Sequence, residues 1–301
     1  MARNAKQIRN LKKLIDRADL LARTATREWR KTIVEIRKEI AYMTNEVRNI
    51  GGNADAREAI LRKVQYHINR LNRRLDRMIE AQLLSAGKVA NADAEDETGI
   101  RVEYDKAHAK EILKAVTARS GANIAATFTT AMSRNAITAL RNAVLGAFQE
   151  QSVNGGTLRD LSNNIRDRWE AAAGDERNFR FIDRSGREWN TDRYIQMNVR
   201  TNTMEIYNAQ KVDTLVRATG QDLVRISDDG RTAKVSCDAC QKWAGRIVSV
   251  TGNDPDFPSL DEAKADGMFH PNCIHTLQAV IEGWDDDEIE RQRKANREAR
   301  K

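Results

Sequence analysis

The sequence predicts a mainly α-helical protein with a smaller α+β module in its C-terminal half. Three observations predict this fold class. Aromatic residues make up only 5% of the chain and charged residues 32%, a composition that favours long helices over a β-sandwich. All three prolines, Pro255, Pro258 and Pro271, lie near the C-terminus, so the residues before Pro255 contain no proline that would break a helix. Short runs of strand-forming residues begin only at about residue 179.

Residues 1–90 are predicted to form an antiparallel helical hairpin packed as a coiled coil. Apolar residues recur there at alternating steps of four and three, which is the spacing of a heptad seam. The two series are Trp29, Ile33, Ile36, Ile40, Met43, Val47 and Ile50, and then Leu61, Val64, Ile68, Leu71, Leu75 and Met78. Gly51-Gly52 separates the series and is expected to form the turn of the hairpin.

The predicted hairpin is basic. Lys and Arg outnumber Asp and Glu about two to one in residues 1–90, so the excess positive charge of the chain, whose net charge is +7, is concentrated in this segment. A basic helical surface can neutralise the phosphates of double-stranded DNA. It can equally be the solvated outer face of a coiled coil, and both interpretations remain open at this point. Few aromatic residues are available to stack on bases, which disfavours single-strand binding.

Residues 91–178 are predicted to be a helical middle region. Small and acidic residues from Ser85 to Thr98 indicate a linker between the hairpin and this region. The apolar spacing predicts helices between residues 100 and 150, and Asn154-Gly155-Gly156 is expected to end them. Thr157 and Asp160 have the spacing of a capping box, which predicts that a new helix begins there.

Residues 179–284 are predicted to be the α+β module, and residues 285–301 a charged C-terminal helix. A β-hairpin is expected between Phe179 and Trp189, followed by a helix over about 191–219 that Gly220 ends. Strands are expected at 223–226 and 247–250. The acidic residues 285–288 suit the first turn of the last helix, because negative charge there opposes the positive end of the helix dipole.

The α+β module contains the strongest candidate site. Cys237-Asp-Ala-Cys240 and His270-Pro-Asn-Cys273-Ile-His275 place five nitrogen and sulfur donors in two short segments, and these segments hold every cysteine of the chain. Tetrahedral zinc takes four such ligands, and two residues between cysteines let both thiolates reach one ion. We therefore predict one structural Zn²⁺ per chain, bound by Cys237, Cys240, His270 and Cys273, with His275 as an alternative ligand. A redox Cys-x-x-Cys pair and a disulfide are the competing interpretations.

The same segments do not have the pattern of an enzyme. A catalytic zinc site leaves one position open for water and usually has a carboxylate base nearby, and a nucleobase deaminase would have His-x-Glu before its Cys-x-x-Cys. A nucleophilic pair of Cys273 and His275 is the remaining catalytic alternative. His67 and His108 each stand alone in helical sequence. We expect no catalytic residues and no enzyme activity.

Composition also bears on the compartment. No run of about 18 apolar residues is present, so no membrane partner is expected. The first residues lead into charged sequence rather than an apolar core, so export by a signal peptide is not expected. Three cysteines arranged for metal fit synthesis in a reducing cytoplasm.

An ordered series of short motifs gives the sequence a family resemblance. The motifs are Ser185-Gly186-Arg187-Glu188-Trp189 with Tyr194 and Met197, Arg200-Thr201, Gly220 to Ser227, Cys237 to Cys240, Trp243-Ala-Gly245, Ser249-Val-Thr-Gly252, and Ala263 to His275. In this order they resemble the phage minor capsid proteins of type 2 and the related Mu F-like head-morphogenesis proteins. The resemblance covers residues 100–284 and is dense from 180 to 284. Ile274 departs from it, since the family usually has Arg there, but the proposed ligands are unaffected.

The resemblance implies a structural component of the virion. Its expected partners are the portal protein or the major capsid protein. Residues 1–90 lie outside the resemblance, and double-stranded DNA is expected as their further partner from their charge alone. Its expected place is the capsid interior or the portal vertex, in several copies, after assembly in the host cytoplasm. Arg200 and Thr201 are expected either to orient a partner loop or to make structural contacts. Two alternatives are a zinc- or Cys-dependent hydrolase delivered with the phage genome and a stand-alone DNA-binding zinc protein.

Overall fold

The computed structural model describes residues 5–46, 53–119, 124–173, 180–182, 188–228 and 237–299. These residues are mainly helical with small antiparallel sheets, which confirms the predicted balance of helix and strand. The chain divides into two compact units. Unit 1 consists of Met1–Asp19, Glu80–Gly121 and Val199–Lys301, and unit 2 of Leu20–Ile79 and Ala122–Asn198. The division of the chain into the segments 1–90, 91–178, 179–284 and 285–301 remains a prediction from the sequence.

The helices and strands of the described residues are as follows. The helices are α1 (Ala5–Glu46), α2 (Asn53–Thr98), α3 (Lys106–Arg119), α4 (Ile124–Asn154), α5 (Leu158–Ala173), α6 (Thr191–Thr219), α7 (Asp238–Trp243), α8 (Leu260–Ala265) and α9 (Asp286–Ala299). The strands are β1 (Arg180–Ile182), β2 (Glu188–Asn190), β3 (Leu223–Ile226), β4 (Ile247–Ser249) and β5 (Leu277–Ala279). No described helix is long and apolar enough to cross a bilayer.

Helices α1 and α2 run antiparallel within each unit. In unit 1, Lys6 pairs with Asp96 and Asn10 donates to Asp93, so residue numbers rise on one helix as they fall on the other. In unit 2 the same order holds for the pair of Glu28 with Arg74 and the pair of Glu39 with Lys63. The seam residues of both helices are buried, from Trp29 to Ile40 on α1 and from Val64 to Leu75 on α2. Gly51-Gly52, the expected turn, lies outside the described residues.

The prediction of a linker from Ser85 to Thr98 is wrong, because these residues form the last turns of α2. Ala86, Ala90 and Ala94 are fully buried, and the first two pack with Leu14 and Tyr207. Alanine side chains let neighbouring helices approach closely, and they also have the best intrinsic helix propensity. The small acidic residues that suggested a flexible connection therefore belong to a tightly packed helix.

Unit 1 contains a three-stranded antiparallel sheet in the order β4–β3–β5. β3 pairs with β4 through Val224 and Val248, and with β5 through Val224 and Ala279. The predicted strands β3 and β4 are confirmed, whereas β5 was not predicted. Unit 2 contains the predicted β-hairpin, in which Phe181 of β1 faces Trp189 of β2. The residues of its turn, 183–187, lie outside the described residues.

Local end signals placed several helices correctly. Gly220 follows α6 with a φ of 69°, a conformation that glycine adopts without strain, so α6 ends where the sequence predicted. Thr157 and Asp160 form the predicted capping box before α5, since each side chain accepts a hydrogen bond from the other residue's backbone amide. The acidic residues after Trp284 begin α9 as predicted.

Candidate metal centre

The first half of the centre is built by the short helix α7 of unit 1. Cys237 is the residue before α7 and has extended backbone angles, with φ −66° and ψ 163°. Cys240 lies in the first turn of α7 and is buried, while Cys237 is exposed. The Sγ atoms of Cys237 and Cys240 lie within 4.8 Å of each other. The sequence motif thus folds as a compact Cys-x-x-Cys loop.

The second half is a tight turn that follows α8. The amide of Cys273 donates to the carbonyl of His270 at 2.9 Å. Phe269, just before His270, and Asn272, just before Cys273, have positive φ values of 61° and 65°. Positive φ is rare for a residue such as Phe, so the surrounding packing must hold this backbone in place. Such an enforced turn fixes the directions of the His270 and Cys273 side chains.

A glycine brings the two halves together. Gly267 has a φ of 97°, and a Cβ atom built on it would lie 3.4 Å from the Cβ of Ala239. In the sequence, Ala239 lies between Cys237 and Cys240. Nearby, the indole nitrogen of Trp243 donates to the Asp266 carboxylate at 2.6 Å, and Lys242 pairs with the same carboxylate at 2.7 Å. These contacts attach the loop after α8 to the body of α7.

The donor atoms of both halves meet in one cluster. The Sγ of Cys240 lies 3.3 Å from Nε2 of His270 and 3.9 Å from the Sγ of Cys273. The Sγ of Cys273 lies 3.4 Å from Nδ1 of His275. The donors fall into two overlapping groups, Cys237, Cys240 and His270, and Cys240, Cys273 and His275, each with all atoms within 4.8 Å of one another. The structure therefore brings together all five residues singled out from the sequence.

These distances fit the edges of a zinc tetrahedron. With Zn–S bonds of about 2.3 Å and Zn–N bonds of about 2.0 Å, two sulfur ligands lie about 3.8 Å apart and a sulfur and a nitrogen about 3.5 Å apart. A disulfide would need an S–S distance of about 2.0 Å, far shorter than the 3.9 Å between Cys240 and Cys273. The cluster of unit 1 could hold a metal ion through thiolate and imidazole donors.

The hydrogen bonds of His270 suit a metal ligand. Its Nδ1 lies 2.8 Å from the carbonyl oxygen of Pro271, so Nδ1 carries the proton and donates, and Nε2 is left as the acceptor that faces Cys240. Metal-binding histidines commonly donate their second nitrogen to a carbonyl or carboxylate in this way. His275 instead presents Nδ1 to the cluster and is buried.

Burial sets the protonation of the thiols. Burial raises the pKa of Cys240 far above its ordinary value, and the adjacent Cys273 raises it further. Burial likewise raises the pKa of Cys273. Buried thiols of this kind stay neutral unless a cation compensates the negative charge of the thiolates. The arrangement therefore disfavours a free thiolate nucleophile and suits thiols that ionise on binding a metal.

Helix α6 holds the second half of the centre in place through hydrogen bonds. The amide of Asn272 donates to the Thr201 hydroxyl at 3.1 Å. Asn208 donates to the carbonyl of His275 at 3.1 Å and accepts from the amide of Leu277 at 3.2 Å. Sequence reasoning missed Asn208, because nothing in its local sequence distinguishes it from any other polar residue on a helix.

The Arg-Thr pair of the resemblance has two separate structural roles. Arg200 forms a two-pronged ion pair with Asp19 of α1, with Nη2 2.6 Å from Oδ2, and this contact raises the pKa of Arg200. Thr201 accepts a hydrogen bond from the amide of Asn272 in the loop after α8. The two predicted lone histidines lie elsewhere: His67 is 3.5 Å from Glu35 in unit 2, and His108 is 3.0 Å from Asp213 in unit 1. Neither belongs to the cluster.

Two buried ion pairs of unit 1 were not predicted. Arg225 of β3 pairs with Asp285 at 2.8 Å, and both side chains are nearly inaccessible. Lys211 of α6 is 2% exposed and lies 2.6 Å from Glu97 of α2. The second oxygen of Glu97 accepts from the amide of Ala279 on the sheet edge at 2.8 Å. These pairs connect the sheet to the helices that surround it.

Comparison with known proteins identifies one family that the sequence matches. The family described as phage minor capsid protein 2 matches residues 51–301, so the match includes α2 as well as the motif-rich C-terminal half. The match thus extends further towards the N-terminus than the motifs themselves indicate. Neither the curated proteins nor the solved structures include a match. The chain belongs to the phage minor capsid protein 2 family.

Proposed function

We propose that this protein is a minor structural component of the phage head that docks at the portal or on the inner capsid wall through unit 1. The family match over residues 51–301 carries this proposal. In unit 1, one packed body is formed by the sheet, α6, α7 and the loop after α8. Its core includes Cys240, Cys273 and Trp243. Such a rigid body suits attachment to a neighbouring subunit.

A structural zinc ion is part of the proposal. Cys237, Cys240, Cys273 and His270 are the proposed ligands, with His275 as the alternative to His270. The ion would supply the charge that stabilises the buried thiolates and would join α7 to the loop after α8. The spacing of the donors and the carbonyl bond of His270 Nδ1 support this ligand set.

The hydrolase alternative has less support. A nucleophilic cysteine needs a lowered pKa and access to substrate. Cys273 is buried and its pKa is raised by burial, and the same holds for Cys240. The family is a structural one, which fits a protein without catalytic activity.

We also propose that the basic segment 1–90 faces the packaged DNA. Its charge excess supports this, because phosphate neutralisation gives affinity without sequence preference. The portal or the major capsid protein would then be bound by unit 1, and DNA by the basic helices.

Composition of purified particles tests the structural role. Mature virions and DNA-free precursor heads would be separated by density and their proteins identified by mass spectrometry. We expect the protein in both fractions in several copies per particle, and cross-linking should join unit 1 to the portal or the major capsid protein. Absence from both kinds of particle would overturn the proposal.

A further inference from the structure

On the outer face of α2 in unit 2, one tyrosine and three arginines form a line along the helix. Tyr66, Arg70, Arg73 and Arg77 follow one another at steps of four, three and four, which places them on one side of a helix. Val64, Ile68, Leu71 and Leu75 are the buried side of the same turns. All four residues of the line are exposed, and Tyr66 is 56% exposed. We call these four residues the α2 basic face.

The described residues of unit 2 provide no carboxylate partner for the arginines of this face. The carboxylates of the two helices pair with other cations: Glu28 with Arg74, Glu39 with Lys63, and Glu58 with Arg62. Among the residues that the structure describes, no carboxylate lies within ion-pair distance of Arg70, Arg73 or Arg77, and this includes their neighbour Asp76. Three guanidinium groups therefore face solvent with their charge uncompensated.

Their spacing suits a row of phosphates. A rise of about 1.5 Å per residue places Arg70, Arg73 and Arg77 about 4.5 and 6 Å apart along the helix axis. Double-stranded DNA carries one charge per about 1.7 Å of its axis, so several phosphates lie within reach of this row. Guanidinium groups bind phosphate oxygens through two parallel hydrogen bonds, which makes arginine the preferred residue for such contacts.

The flanking polar residues do not favour base recognition. The side-chain amide of Gln65 donates to Asn69 at 2.8 Å, so these two amides are engaged with each other beside the face. Asparagine and glutamine are the side chains that read adenine in the major groove. With these two amides paired to each other, the three arginines are the groups best placed to contact DNA, and contacts to phosphates position a protein without selecting a sequence.

The outer face of α1 in the same unit differs. Arg23, Arg27, Lys31 and Lys38 are also exposed there, but Lys31 pairs with Glu28, and the other three spread over more than twice the length of the arginine row on α2. Exposed apolar side chains lie before and among them, since Leu20 is 59% exposed and Val34 is 37% exposed. The charge density that attracts phosphate is therefore higher on α2.

We propose that the α2 basic face binds the phosphate backbone of double-stranded DNA. This inference rests on the proposed function, since a position inside the head places the protein beside packaged DNA. It narrows the DNA contact from the whole segment 1–90 to Tyr66, Arg70, Arg73 and Arg77. The contact is independent of sequence and depends steeply on salt.

A matched pair of charge variants of the full-length protein tests the proposal. R70Q/R73Q/R77Q removes three charges from the α2 basic face, and R23Q/R27Q/K38Q removes three from α1 of the same unit. Binding to labelled duplexes of AT-rich and GC-rich sequence would be followed by fluorescence anisotropy over a range of salt concentrations. Circular dichroism would show that both variants keep the helix content of the wild type.

The salt dependence decides the outcome. Each lost phosphate contact lowers the slope of log K against log salt by about 0.9, so the α2 variant should lose about 2.7 in slope on both duplexes. The α1 variant should keep the wild-type slope. Equal losses in the two variants, an unchanged slope in the α2 variant, or no binding by the wild type would each overturn the proposal.

Particle composition separates this inference from the structural role. The α2 variant should still be incorporated into heads like the wild type, because unit 1 is intact. Loss of incorporation without loss of DNA affinity would mean that the face binds an acidic protein surface, and the DNA assignment would be wrong. Absence of the wild-type protein from heads would instead contradict the proposed function.

Discussion

Cys240 and His270, 30 residues apart in the chain, face each other with Sγ 3.3 Å from Nε2. The two residues belong to separate local structures, a short helix and a strained turn, and each is held in place by contacts of its own. The candidate metal site therefore lies between α7 and the turn after α8. A metal ion between these two residues would connect α7 to the loop after α8.

Gly267→Ala should weaken the contact between α7 and the loop after α8. Alanine at φ 97° is strained, and its methyl group would meet Ala239 at 3.4 Å, so the loop after α8 should move away from α7. We expect a loss of more than 1 kcal/mol in unfolding free energy and a lower affinity for zinc, measured by competition with a coloured chelator. Gly99→Ala is the control, because Gly99 has a φ of 68° and no atom near its missing Cβ. Equal effects on zinc affinity would contradict the role assigned to Gly267.

Histidine substitutions should distinguish the two candidate ligands. His270→Asn removes the imidazole whose Nε2 faces Cys240, so zinc content should fall well below one ion per chain. His275→Asn should retain zinc if His270 is the fourth ligand, because the carbonyl bond of Nδ1 already orients His270. Metal analysis by mass spectrometry measures both. The reverse pattern would make His275 the ligand.

Asp285→Asn should destabilise unit 1 strongly. Removing one partner of a buried ion pair leaves the other charge uncompensated, which costs about 3–5 kcal/mol. Here the stranded charge would be Arg225, whose side chain is nearly inaccessible. Asp261→Asn is the control, since the Asp261–Lys264 pair of the same unit is largely exposed and should contribute less than about 1 kcal/mol. Urea unfolding followed by Trp fluorescence would give both values, and similar losses would refute the argument.

Acid should remove the contribution of Asp285. Burial raises the pKa of its carboxyl, but the amide of Ile281 and the Arg225 guanidinium lower it more, so the net pKa lies below the ordinary value. A lowered folded-state pKa stabilises the fold above the unfolded pKa of about 3.9, and this stabilisation is lost as the pH falls through the folded value. The stability difference between wild type and Asp285→Asn should therefore shrink as the pH falls below about 4. A difference that stays constant across that range would show that the charge of Asp285 is not the cause.

Lys211 and Glu97 should behave as a coupled pair. Lys211→Met alone leaves the Glu97 carboxylate buried with only hydrogen bonds from Gln7 and the Ala279 amide, so a loss of about 3–5 kcal/mol is expected. The double variant Lys211→Met with Glu97→Gln should recover much of this loss, because no buried charge remains. A double-mutant cycle measures the coupling. Additive losses would mean that the 2.6 Å contact contributes nothing specific.

Local sequence signals predicted what depends on local chemistry. Gly220 ended α6 and Thr157 with Asp160 began α5 because backbone capping is determined by a few neighbouring residues. The Cys and His spacing likewise led to the cluster, since each half of it is short. The family resemblance then agreed with the matched family over residues 51–301.

Long-range packing could not be predicted in the same way. Ser85 to Thr98 looked like a linker because small acidic residues are common in loops, yet Asp93 accepts a hydrogen bond from Tyr207 at 2.7 Å. Burial raises the pKa of this carboxyl, which shows how closely the helices surround it. Asn208 and Asp285 act on partners more than 50 residues away, and no local pattern identifies them.

X-ray absorption at the zinc edge tests the central claim most directly. The full-length protein would be purified without added metal and its zinc content measured on the same sample. We expect one zinc ion per chain, with three sulfur ligands at about 2.3 Å and one nitrogen at about 2.0 Å. A protein that is fully folded in unit 1 and contains no metal, or an ion bound only by oxygen, would contradict it.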